Sequence, residues 1–265
     1  MKKSNIDKLL DIMLALRNPD SGCPWDVEQT FQSISPYTIE EAYEVADAIE
    51  RSDIEGLKDE LGDLLFQVIF HSEIAKEEGH FVFNDVVVGI IDKMVRRHPH
   101  VFSEASVRSS EAQSVAWEDI KARERLNTSN SRKSSAMSDV PLAFPALMRA
   151  QKLQKRAARI GFDWPTTEGI LEKIDEEILE VKDELLNTSN HERVEEEIGD
   201  LLFVCVNLAR KLNVDAEIAL KRASKKFERR FRAMESILME NENLKKPTLE
   251  DMERIWTEVK KLEKT

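Results

Sequence analysis

Four acidic residues carry the chemistry that can be read first. Glu177 and Glu180 stand three apart, and so do Glu197 and Asp200. Positions i and i+3 share one helix face, so two antiparallel helices over residues 172–202 would bring four carboxylates to one spot. Clustered carboxylates repel, and some protonate unless a cation joins them. An all-oxygen donor set suits Mg²⁺, with Mn²⁺ as a substitute. Zinc would call for His or Cys, and neither Cys23 nor Cys205 has metal-site spacing. A di-iron bundle would call for Glu-x-x-His; the one such spacing, Glu77 to His80, is interrupted by Gly79. The competing reading of a Glu-rich helix is a solvated face. Against it, Glu197 and Asp200 lead into LLFVCVNLA, and Asp63 opens LLFQVIF. A helix apolar all round is expected to be buried, which makes Cys205 a small core residue and makes the acids costly unless paired or metal-bound. Gly62 and Gly199, between the acids of their pairs, predict close approach of another helix or a ligand, unless shared ancestry alone explains them.

Cations follow the acids. Lys226, Arg229 and Arg230 are spaced so that two or three can face one side of a helix, and Lys173 lies one turn before Glu177. Beside a carboxylate–metal cluster these read as phosphate clamps, or else as surface charge balancing neighbouring glutamates. Trp256 can stack on a base or ribose, or pack between helices.

The elements that must position these groups are helices. The 265 residues are 41% hydrophobic and 34% charged, with eight glycines and eight prolines, and alternating strand-like runs are scarce. The expected helices run over 4–17, from Ser35–Pro36 to Arg51, from Ser52 or Asp53 to Gly79, over 84–97, 109–125, 142–160 and 215–240, and from Leu249 onward, besides the acidic pair. Residues 126–138, rich in Ser and Asn, read as a linker or mobile loop. The chain is one pattern written twice: EEAYE at 40–44 and EEILE at 176–180, DELGDLLF and EEIGDLLF, KMVRR and KFERR, WEDIK and WTEVK. The net charge of −12 argues against a nucleic-acid or anionic-membrane partner. The charged N-terminus and the absence of a long apolar run predict neither a signal peptide nor a membrane span, so a cytoplasmic location is expected.

The paired EExxE…ExxD motifs, with CPWDVEQT, SPYTIEE, RRHPHVF, WEDIKARE, PALMRAQKLQKRAARIGFDW and KFERRF, resemble the MazG family of nucleoside triphosphate pyrophosphohydrolases, two-domain bacterial type. The resemblance covers nearly the whole chain outside the linker. It implies an all-α fold of two tandem helical domains of about four helices each, over 1–125 and 139–265, in an interwoven homodimer. It implies Mg²⁺-dependent hydrolysis of NTPs and dNTPs, with broad base tolerance, to monophosphate and pyrophosphate by water attack at the α-phosphorus. On matching positions, Glu177, Glu180, Glu197 and Asp200 become metal ligands, Lys226, Arg229 and Arg230 triphosphate contacts, and Trp256 a nucleoside contact. Lys173 joins the substrate contacts, and Glu176 or Glu196 is the candidate base. A second site would comprise Glu41, Glu44, Glu60 and Asp63. The C-terminal copy is favoured as the main site because Asn207, two turns beyond Asp200, can hydrogen-bond substrate where Phe70 cannot. In addition, Pro99 stops the first copy's basic helix. Two other readings compete: a non-catalytic helical scaffold, and a hydrolase restricted to one nucleotide such as dUTP.

Overall fold

The computed structural model describes residues 3–102, 120, 124, 135–138, 140–187, 190–240 and 247–263. Every regular element among them is helical. The chain divides into two compact units, Met1–Thr128 and Ser129–Thr265.

In the first unit, helix α1 (Asn5–Leu16) is started by a capping box between Ser4 and Asp7. A short α2 (Pro24–Glu28) lies between the helices expected over 4–17 and from Ser35–Pro36. Helices α3 (Phe31–Arg51) and α4 (Ile54–Glu77) form a long antiparallel hairpin. Its turn is tight: Ser52 takes a left-handed φ of 57°, and Asp53 Oδ1 accepts from Gly56 N at 2.9 Å to cap α4. Helices α5 (Phe83–Arg97) and α6 (Pro99–Phe102) follow. Met13, Ile34, Ile69, Phe70 and Ile74 form the core, flanked by Leu9, Phe31 and Phe66. Arg17 is buried and tied to Glu77 and to the carbonyls of Asp26 and Gln29. Glu77 is thereby taken, and His80 pairs with Glu78, so no Glu-x-x-His site forms there.

The second unit repeats the plan with α7 (Ala146–Arg159), the hairpin α8 (Thr167–Asn187) and α9 (His191–Lys211), α10 (Ala216–Glu240) and α11 (Leu249–Leu262). The Gln151 side chain bridges α7 to the start of α10, donating to Val214 O at 2.9 Å and accepting from Ala216 N at 3.2 Å. Met234, Ile255 and Val259 close α11 onto α10, with Ile237, Met252 and Trp256 around them. The loop before α8 is pinned by Lys211 Nζ donating to Trp164 O at 2.6 Å and by an ion pair between Asp163 and Arg210.

Several expectations are corrected. Helix α3 begins at Phe31, not at Ser35–Pro36, because Thr30 and Ser33 form a capping box. Pro36 sits inside the helix, where its missing N–H removes one internal bond. Helix α7 begins at Ala146 rather than 142, since the extended Pro145 immediately precedes it. The run after Asp200 is not buried all round. Val204, Val206 and Asn207 face inward, while Leu202, Phe203 and Cys205 are exposed. Leu65 and Val68 are likewise exposed in the first copy. One flank of the apolar run is therefore buried and the other exposed. Gly62 and Gly199 have nothing among the described residues within 4 Å of where a Cβ would sit, so no close approach among those residues explains them. Most of the expected helix at 109–125 and of the linker at 126–138 lies outside the described residues. No helix among the described residues is long and apolar enough to cross a membrane.

Candidate active site

The α8–α9 hairpin brings the acids together. Oxygens of Glu177, Glu197 and Asp200 lie within 4.8 Å of one another, and in the first unit those of Glu41, Glu60 and Asp63 do the same. Opposed helices with acids at i and i+3 converge in this way because the shared faces meet across the hairpin. Glu177 is 4% exposed. Its Oε1 receives Lys173 Nζ at 2.8 Å, and Lys173 also reaches Glu176 Oε1 at 2.8 Å. Its Oε2 is buried with no hydrogen-bond partner among the described residues. The two contacts raise the Lys173 pKa, with the Glu176 hydrogen bond the larger cause.

Glu180 stands beside the trio rather than in it. Burial first, then the neighbouring Glu177 charge, pushes its carboxyl up, with Lys173 opposing. In the first unit both Glu41 and Glu60 are pushed up, chiefly by burial, then by Asp63 and Glu44 in turn. The position matching Lys173 holds Tyr37, whose ring meets Trp25 edge-on at 5.8 Å. An all-carboxylate donor set, an orphaned buried oxygen and acids resisting ionisation all fit a hard divalent cation.

The other candidate residues divide. Asn207 is 5% exposed, its Oδ1 accepts from Arg210 Nε at 2.8 Å, and it lines a cavity of about 220 Å³ beside Trp164 and Phe203. Phe70 is instead packed in the core, with the Arg17 guanidinium 5.3 Å from its ring centroid. Trp256 is half-buried and packs 5.3 Å from the Phe227 ring. Lys226 is exposed with no ion-pair partner among the described residues. Arg229 and Arg230 are both paired with Glu263, and Arg96 and Arg97 with Glu124. Sequence reading missed these glutamates. Their signal was a Glu seven residues after the Trp in both WEDIKARE and WTEVKKLE.

Among the described residues, fold and site together describe an all-α protein with a carboxylate cluster on a paired-helix hairpin in each unit. The sequence profile described as the MazG nucleotide pyrophosphohydrolase domain matches residues 29–102 and 165–234, one segment per unit. The chain is 51% identical over 262 residues, 98% of each protein, to a nucleoside triphosphate pyrophosphohydrolase of Escherichia coli (strain K12). It is 42% identical over 264 residues, again 98% of each, to the nucleoside triphosphate pyrophosphohydrolase/pyrophosphatase MazG of Thermotoga maritima. A nucleoside triphosphate pyrophosphohydrolase of Mycolicibacterium smegmatis is 36% identical over 157 residues, 58% of this chain and 47% of that protein. The chain belongs to the MazG nucleotide pyrophosphohydrolase family.

Proposed function

We propose that the protein hydrolyses nucleoside triphosphates, both ribo and deoxy, to the monophosphate and pyrophosphate. Glu177, Glu180, Glu197 and Asp200 would hold Mg²⁺, or Mn²⁺ in its place. Glu41, Glu44, Glu60 and Asp63 would form a second set. The observation that carries this reading is the recurrence of one carboxylate trio, within 4.8 Å, in two separate units. The names of relatives matching 98% of the chain's length support the substrate class.

A bound cation supplies positive charge for the phosphoryl oxygens and lowers the pKa of a water. The chain's own groups do the rest. Lys226, Arg229 and Arg230 hold the triphosphate. Lys173, which bridges Glu176 and Glu177, would be able to reach a phosphate oxygen if Glu177 were to hold a cation. Glu176 or Glu196 takes the proton of the water attacking the α-phosphorus. Trp256 offers its exposed part to the nucleoside, and Asn207 donates a hydrogen bond to the substrate. None of these contacts requires a particular base edge, which is why broad tolerance is favoured over a single nucleotide.

The domains would be 1–125 and 139–265, joined by 126–138, with the C-terminal copy the main site. The protein would work as a homodimer in the cytoplasm. Incubating a panel of NTPs and dNTPs with Mg²⁺ and resolving products by phosphorus NMR tests the reaction. Monophosphate and pyrophosphate are expected; diphosphate and phosphate would refute it. Glu197→Gln should abolish turnover and Glu60→Gln should leave most of it, and the reverse pattern would move the main site to the first copy.

A further inference from the structure

In each unit, two adjacent arginines at the basic motif are tied by one glutamate that follows them in the chain. Glu263 Oε1 accepts from Arg229 Nε at 2.9 Å and Nη2 at 2.8 Å, and its Oε2 accepts from Arg230 Nε at 2.7 Å. Glu124 Oε1 accepts from Arg96 Nε at 2.7 Å, and its Oε2 from Arg97 Nε at 3.0 Å and Nη2 at 2.6 Å. The pattern is the same and the bidentate partner differs, so the shared feature is a carboxylate across both Nε edges. Packing sets this register in the second unit. Ile255 and Val259 are buried against α10, and Glu263 continues their i, i+4 stripe. The Nε edge of Arg230 is therefore fixed, while its terminal nitrogens have no hydrogen-bond partner among the described residues.

We propose that Glu263 and Glu124 are positioning residues for polyphosphate binding, each holding an arginine pair by its inner edges so that the terminal nitrogens it leaves open are presented to the phosphate oxygens. This rests on the proposed function for its ligand. Pre-ordering a long side chain removes part of the ordering penalty of binding, and the guanidinium fork rewards a fixed orientation. At Arg230 and Arg96 the carboxylate takes only Nε and leaves both terminal nitrogens open to an end-on phosphate contact, while at Arg229 and Arg97 it also takes Nη2 and leaves Nη1.

The test uses the full chain with Mg²⁺. Glu263→Gln should raise the NTP KM about tenfold while kcat stays within about twofold, because only substrate holding is lost. Glu263→Asp, which keeps the charge on a shorter arm, should recover part of the loss. Thermal midpoints guard against a folding defect. An unchanged or lowered KM in Glu263→Gln overturns the proposal, and so does an equal loss in kcat and kcat/KM at unchanged KM. A second readout does not need turnover. Calorimetric binding of magnesium tripolyphosphate should weaken about tenfold in the Glu124→Gln/Glu263→Gln double variant relative to the parent; equal or tighter binding overturns the proposal. If Glu263→Gln fails to fold, Glu263→Asp and Glu124→Gln carry the same binding test. A parent protein that binds tripolyphosphate but hydrolyses no NTP would sink the proposed function and leave this inference standing. Normal turnover with unaffected variants would do the opposite.

Discussion

Lys173 and Tyr37 hold matching positions, and the exchange changes what each acidic cluster experiences. In the second unit an ammonium lies 2.8 Å from the buried Glu177; in the first, burial and neighbouring acids push Glu41 and Glu60 toward protonation. Removing Lys173 leaves Glu177 buried without a partner, which costs about 1–3 kcal/mol. Lys173→Met should therefore lower the thermal midpoint in chelator, and Mg²⁺ should restore more stability to the variant than to the parent, since a ligand that binds only the folded state stabilises it. Equal Mg²⁺ shifts in both would mean that the cation and Lys173 do not share Glu177. The arginine-bound glutamates give an acid-side signature. Hydrogen bonds from Arg97 first, opposed by burial and joined by Arg96, hold Glu124 down to about 2. Glu263 is lowered chiefly by Arg230, then Arg229. A carboxyl with a depressed folded pKa contributes fully above its ordinary value of 4.5 and loses that contribution as pH falls toward the folded value. Between 4.5 and about 2, the midpoint of the parent should thus fall more steeply than that of Glu124→Gln, with the two converging at the acid end.

At the scale of elements, the α8–α9 and α3–α4 hairpins do the positioning, and their ends show how local chemistry sets them. Thr30→Ala breaks the capping box of α3 and should lower stability by about 1 kcal/mol, whereas Ser35→Ala, at an exposed position inside the helix, should stay within about 0.5 kcal/mol. Denaturant midpoints distinguish them, and the reverse order would restore Ser35 as the start. The hairpins themselves were legible because acidic pairs, apolar runs and the repeat all agreed. The α3 start was not, because Ser-Pro is a stronger local signal than Thr-x-x-Ser, and only the packing of Phe31 and Ile34 in the core selects the earlier cap. The acids at 177, 197 and 200 were legible from spacing. The pairing of Arg229 and Arg230 with Glu263 was not, since it depends on how α11 folds back onto α10, a contact between elements that helical spacing does not encode.

At the scale of the whole molecule, the unexplained feature is the outer flank of the helices that carry Glu60, Asp63, Glu197 and Asp200. Ile198, Leu202 and Cys205 form an exposed stripe at i, i+4 and i+7, and Leu61, Leu65 and Val68 repeat it in the first unit. Gly199 and Gly62, next to each stripe, have nothing among the described residues within 4 Å of where a Cβ would sit. Scattered exposed leucines are ordinary, but a contiguous apolar stripe written at the same register in both copies marks a surface made to be covered. Glycine beside such a stripe lets a second backbone come close. On the proposed homodimer, a second copy of the chain would be the occupant, because an isologous contact needs a self-complementary patch. Placing a charge in the seam should separate the copies: Leu202→Glu or Leu65→Glu should shift the sedimentation mass toward that of a single chain of 30.5 kDa, while Leu142→Glu, an exposed leucine outside the stripes, should not. If both stripe variants keep the parent's mass, the seam lies elsewhere, and the apolar run after Asp200 is left without a reason for its second flank.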